Sequence, residues 1–194
     1  MKNISRLRHF VQAFTGLIDQ VGTDEERIFS QGKALLSELV SVDDWLPDEY
    51  AKPSPERYQQ YLLWCDPLER FSMVSFVWGP GQTTPVHDHT VWGMVGVLRG
   101  AETCEEFALD AGSGPLQAHG SHHLACGAID LVSPRVGDIH KVSNALADQT
   151  SVSIHLYGAN IGRVQRHVYD ADTGAMRDFV SGYSNNATPN LWQS

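Results

Sequence analysis

Apolar residues over the first fifty positions fall at helical spacing. Leu7, Phe10, Val11, Phe14, Leu17, Ile18 and Val21 share one face of a helix. Gly22 punctuates the stripe, and Thr23-Asp24-Glu25-Glu26 fits a capping box with Thr23 as N-cap and Glu26 reaching back. A second helix is expected to about Val40, carrying Ile28, Ala34, Leu35, Leu36 and Leu39, before Pro47, Pro53 and Pro55 break up the chain. From about residue 57 the pattern shortens. Runs rich in Val, Phe, Trp and Met at 71–78 and 91–98 are bounded by Gly79-Pro80-Gly81 and Arg99-Gly100, which are turn signals. Further short runs follow at 128–132, 151–157 and 164–169. Many short strands with Gly and Pro between them predict a mainly β chain, a sandwich or barrel preceded by helices. The expected layout is one domain over 1–194: a helical segment at 1–56, the β part at 57–184 and a loose tail at 185–194.

Composition adds exclusions. The chain has 194 residues, 42% hydrophobic and 19% charged, which is ordinary for a globular protein. A net charge of −9 argues against a nucleic-acid surface and against an anionic membrane. No apolar run approaches the roughly 20 residues that span a bilayer. Three cysteines, Cys65, Cys104 and Cys126, with no CxxC spacing point away from a disulfide framework. A reducing, cytoplasmic location is expected.

The strongest chemical signal is His87-Asp88-His89. Two histidines one residue apart on an extended segment point to the same side and can share a metal, with Asp88 turned away. Ser151-Val152-Ser153-Ile154-His155-Leu156-Tyr157 alternates, with Ser153, His155 and Tyr157 on one face. Such a strand is either half-exposed with a wet polar face or, in a small barrel, lines the lumen with polar groups.

The surroundings of these residues resemble a known superfamily. Gly81, His87, His89, Gly93 and Gly100 resemble the first motif of the cupins. Gly127, Pro134, Gly137, His140 and Asn144 resemble the second, with an extra residue between Pro134 and Gly137. The resemblance implies a small jelly-roll-like β-barrel holding one metal through His87, His89 and His140. Cupins normally carry Glu where this chain has Gly93. Three neutral imidazoles leave a divalent ion its full charge and favour an anionic ligand such as a thiolate. Imidazole also suits Zn, Cu and Ni, so the ligands leave the metal open.

With the Ser153, His155 and Tyr157 run, the match from about Tyr58 to Tyr169 resembles the cysteine dioxygenase family. That resemblance implies one Fe(II) per chain, O2 as cosubstrate, and oxidation of a small thiol to its sulfinic acid. It also implies that Ser153, His155 and Tyr157 form an outer hydrogen-bond relay. In the animal enzymes a cysteine crosslinked to the relay tyrosine falls at Gly93, so Tyr157 is expected unmodified, and Cys104 is no matching substitute. Gln60 stands where a true cysteine dioxygenase has its carboxylate-binding Arg. This is similar to a bacterial Gln-type subgroup associated with 3-mercaptopropionate, in which an Arg after the relay strand binds the carboxylate. Arg166 lies at that position, nine residues beyond Tyr157, with Arg163 as competitor. Gln60 is either a substrate contact or an exposed helix or loop residue. 3-Mercaptopropionate is favoured over L-cysteine, whose ammonium would need an acceptor. Cysteine dioxygenase proper, a cupin with other chemistry (C–C cleavage or isomerisation) and a non-catalytic ligand-sensing cupin are the alternatives. Tyr61, Trp64, Trp78 and Trp92 are expected in the core, His119, His122 and His123 in a solvated loop, and Asn144 at a strand turn.

Overall fold

The structure is a computed structural model that describes residues 2–109 and 114–192. The helices α1 (Ile4–Val21) and α2 (Glu25–Val40) come first. The buried residues of α1 are the seven of the apolar stripe. At α2 the N-cap is Asp24 rather than Thr23: its carboxylate accepts from the Arg27 N–H at 3.2 Å. A Thr hydroxyl could accept from that orphan donor too, but the Asp24 carboxylate also complements the helix dipole. The α2 face also lies differently from the expectation, because Phe29 and Gly32 are buried while Ala34 is exposed.

Two antiparallel sheets follow, their strands numbered along the chain. The first runs β1 (Gln59–Cys65), β2 (Ser72–Trp78), β9 (Ser151–Tyr157), β4 (Gly93–Arg99), β7 (Ile129–Val132). The second runs β11 (Met176–Phe179), β10 (Arg166–Tyr169), β3 (Val86–His87), β8 (His140–Asn144), β5 (Ala101–Ala108), β6 (Gln117–Ala125). Both helices cover the outer face of the first sheet, where Met73, Val77, Met94, Leu98, Val152, Ile154 and Leu156 join their apolar stripes. Its inner face meets the second sheet through Val74, Phe76, Trp78, Val97, Cys104, Val142 and Tyr157. With both faces covered, β2 and β9 are buried along their whole length. The wet-face reading of 151–157 is therefore excluded: its polar side faces the space between the sheets.

Two further expectations are corrected. The histidines at 119, 122 and 123 lie on β6, paired with β5, rather than in a loop. His122 is half-buried against Asp130, at 3.0 Å. The tail is docked as far as it is described: Asn185 bonds to the Leu62 backbone, Leu191 is buried, and the Tyr50 hydroxyl donates to the Ala187 carbonyl. Residues 193 and 194 lie outside the described residues. The cysteines are free, as expected. Among the described residues no helix is long and apolar enough to cross a membrane.

Candidate metal centre

Strand pairing builds the centre. His87 on β3 and His140 on β8 are cross-strand partners, and His89 follows His87 at the two-residue period. The three rings stand 4.8 to 4.9 Å apart between centroids, all buried. Each Nδ1 already has an outer partner: the Pro85 carbonyl for His87 at 3.1 Å, Asp138 Oδ1 for His89 at 2.9 Å, and Cys104 Sγ for His140 at 3.4 Å. That pattern leaves the three Nε2 lone pairs for a shared ion, as metal-bound imidazoles require. The ligand atoms lie within 4.8 Å of one another, so the donor set fits a divalent cation.

Asp138 was not singled out by sequence reasoning. Besides the His89 ring it accepts the His89 and Thr90 backbone N–H groups at 3.0 and 2.9 Å. Thr90 sits at φ 59°, a left-handed conformation unfavourable for a β-branched residue, directly after a ligand. The available signal was an Asp inside the second motif, two residues before His140. Asp88 faces away as expected, accepting from the His167 N–H and the Tyr169 hydroxyl, both at 2.8 Å.

Burial keeps the His87, His140 and His155 imidazoles neutral. It pushes His87 down to about 3, helped by nearby His89, and holds His140 and His155 well below the usual histidine range. In the metal-free protein this burial makes stability depend on pH. Unfolded histidines take up protons near about 6.5, whereas folded His87 stays neutral to about 3. The unfolded chain then holds more protons, so the histidine contribution to stability is complete above about pH 6.5 and falls below it by roughly 1.4 kcal/mol per pH unit per such histidine. Thermal melting of metal-free protein across this range should show the fall; a flat Tm would contradict it.

Beside the triad runs a hydrogen-bonded line. The Tyr157 hydroxyl and His155 Nδ1 are 2.8 Å apart, as are His155 Nε2 and Ser153 Oγ, and the Trp78 indole N–H donates to Ser153 at 3.2 Å. The Tyr157 ring stacks on His89, with centroids 5.4 Å apart. Burial raises the Tyr157 phenol, so it stays protonated. Gly93 is the cross-strand partner of Tyr157. A Cβ there would lie 3.0 Å from the tyrosine ring and 2.9 Å from Val132. The side chain that cupins usually place here therefore has no room beside Tyr157. Gly93→Ala should cost about 1–3 kcal/mol through overpacking and displace the tyrosine, seen as a lowered Tm.

Arg166 and Arg163 separate cleanly. Arg163 is exposed and pairs with Glu69 at 3.5 Å. Arg166 is buried on β10, its Nη2 donating to Ser181 Oγ at 2.7 Å and its Cζ 4.6 Å over the Phe179 ring. Its Nε has no partner, and among the described residues no carboxylate pairs with it. Its charge is felt by His87 and Tyr157. Gln60 is neither exposed nor in a helix or loop: it is buried on β1, its amide donating to Ser181 at 3.0 Å and to the Gly182 carbonyl at 2.9 Å. Both residues thus converge on Ser181. Of the aromatics, Trp78 is buried between the sheets, while Tyr61, Trp64 and Trp92 are half-buried against the helix-side core. Asn144 donates to the carbonyls of Trp78, Gly79 and Gln149, tying the strand ends together. Cys104, His122 and Asp130 form a second group of possible donors behind His140, engaged with one another and with Glu106.

The chain is similar to a double-stranded β-helix domain protein from Klebsiella pneumoniae, at 19% identity over 58% of this chain and 82% of that one, with a TM-score of 0.47. It is also similar to a cupin 2 conserved barrel domain protein from Rhodopseudomonas palustris, at 18% identity over 62% and 74%, with a TM-score of 0.44. The cysteine dioxygenase type I family matches residues 8–170, which take in most of α1, all of α2, strands β1 to β10 and the three triad histidines. The chain belongs to the cysteine dioxygenase type I family.

Proposed function

We propose that the protein is a thiol dioxygenase that uses one Fe(II) per chain, held by His87, His89 and His140, and that its substrate is a small thiol carboxylate, 3-mercaptopropionate in preference to L-cysteine. The observation that carries the substrate class is Arg166, a buried guanidinium without a carboxylate partner whose charge reaches the triad. A desolvated cation is costly unless an anion joins it, and a carboxylate fits the guanidinium fork. Gln60 holds Ser181, which in turn fixes Arg166, so Gln60 positions the fork. The two aspartates on either side of the ligand strand, Asp88 and Asp138, have their oxygens committed to histidine, tyrosine and backbone donors. Neither is left to receive the ammonium of cysteine, which favours the thiol lacking one.

Held by His87, His89 and His140, Fe(II) would supply the redox chemistry that joins dioxygen to a thiolate. The chain's own residues do the rest. Arg166 orients the carboxylate end, the buried walls exclude water, and Tyr157, held by His155 and Ser153, offers a protonated hydroxyl beside the substrate. The overall change is RSH + O2 to RSO2H, with both oxygen atoms ending on sulfur. Oxygen uptake by the Fe(II)-loaded protein with 3-mercaptopropionate, L-cysteine and cysteamine tests this. Stoichiometric sulfinate with the first thiol at the highest kcat/KM supports it. Sulfinate from none of them would remove the activity, and a preference for L-cysteine would remove the substrate order.

A further inference from the structure

A buried carboxyl stands near Ser153, at the end of the relay. Glu102 on β5 is fully buried, and among the described residues no cation pairs with it. Its Oε1 accepts from the Ser151 hydroxyl at 3.1 Å, while Oε2 has no hydrogen-bond partner. Ser153 and the Trp78 N–H stand close enough to favour its charged form without completing a bond to Oε2. Isolated buried carboxyls are rare and costly, and the hydroxyl and indole donors near this one offset its burial only in part. The groups around it are Ser151 and Ser153 from β9, Trp78 from β2 and its cross-strand partner Asn144 from β8. Cys104 and Tyr157 are the titratable neighbours that feel its charge. None of these is positive.

We propose that Glu102 is the far terminus of the relay, a positioning residue whose protonation sets the direction of every hydrogen bond between Ser153 and the Tyr157 hydroxyl. The proton accounting is closed. With Glu102 ionised, Ser153 donates to it, His155 Nε2–H donates to Ser153, and His155 Nδ1 accepts from Tyr157. With Glu102 neutral, its own O–H donates to Ser153, Ser153 donates to Nε2, and Nδ1–H donates to the tyrosine oxygen. Only in the second arrangement is the Tyr157 hydroxyl free to donate into the substrate pocket. The Trp78 N–H donates to Ser153 in both, so the serine is satisfied either way. Burial pushes Glu102 up to about 7, against the three donors, which places the switch near neutrality.

The activity arm of the test rests on the thiol dioxygenase reading; the spectroscopic arm does not. Infrared difference spectra of the metal-loaded protein, titrated from about pH 5 to about pH 9, should show a protonated-carboxyl C=O band that fades near about 7. Glu102→Gln should lack that band while keeping its metal content. In turnover, wild-type kcat/KM should fall by about tenfold per pH unit on the alkaline side of this transition, and Glu102→Gln, a fixed neutral donor, should lose that limb. A C=O band absent throughout the range, or an alkaline limb unchanged in Glu102→Gln, would overturn the proposal. If the band titrates but no thiol is oxidised, the function has failed and the proton switch stands.

Discussion

Replacing Arg166 with Ala is expected to lower kcat/KM for 3-mercaptopropionate by about two to three orders of magnitude. Whatever turnover cysteamine shows should change by less than about threefold, since it has no carboxylate to lose. The reason lies in the burial of the guanidinium. A charge-assisted, bidentate contact in a dry site is worth far more than one at a surface, where Arg163 sits. A second readout separates function from folding. Because Arg166 is a buried cation with no carboxylate partner among the described residues, Arg166→Met should leave Tm unchanged or raise it while abolishing the preference for carboxylate thiols. An Arg kept for structure would instead give a large loss of stability. Steady-state oxygen uptake with paired thiols, alongside thermal melting, checks both parts.

His140→Ala should bring bound iron from one per chain to background, with turnover lost to the same extent. Three neutral imidazoles bind without help from a charged ligand, so losing one leaves two donors and an empty corner. Asp138→Asn makes the graded comparison. Its carboxylate orients His89 through the ring Nδ1 and the backbone at once, and loss of such an outer partner typically costs about 10–100-fold in metal affinity. The expected order of iron content is therefore wild type, Asp138→Asn, His140→Ala. Iron analysis after dialysis against a weak chelator reads that order directly.

Much of this centre was legible in the sequence, and what was hidden has a common cause. The α1 stripe and the 151–157 strand stand as read, because a helix against a sheet and a strand between two layers both imprint their period on the chain. The paired histidines were visible for the same reason. Strands β5 and β6 were not, since β6 is mostly exposed and its polar run carries no apolar alternation. Asp138 showed only as an acidic residue inside the second motif, and Glu102, with Glu105 and Glu106 after it, carried no local mark of a carboxylate that tertiary packing buries. Whether Arg163 or Arg166 turned inward was decided by β10 pairing with β3, a contact across about eighty residues of chain that no local pattern encodes.

The most direct measurement is the fate of heavy-isotope dioxygen. Fe(II)-loaded protein, given 3-mercaptopropionate and labelled O2, should yield a sulfinate carrying two heavy atoms from one molecule of gas, with product equal to oxygen consumed. Unlabelled or singly labelled product, or disulfide in place of sulfinate, would contradict the assignment.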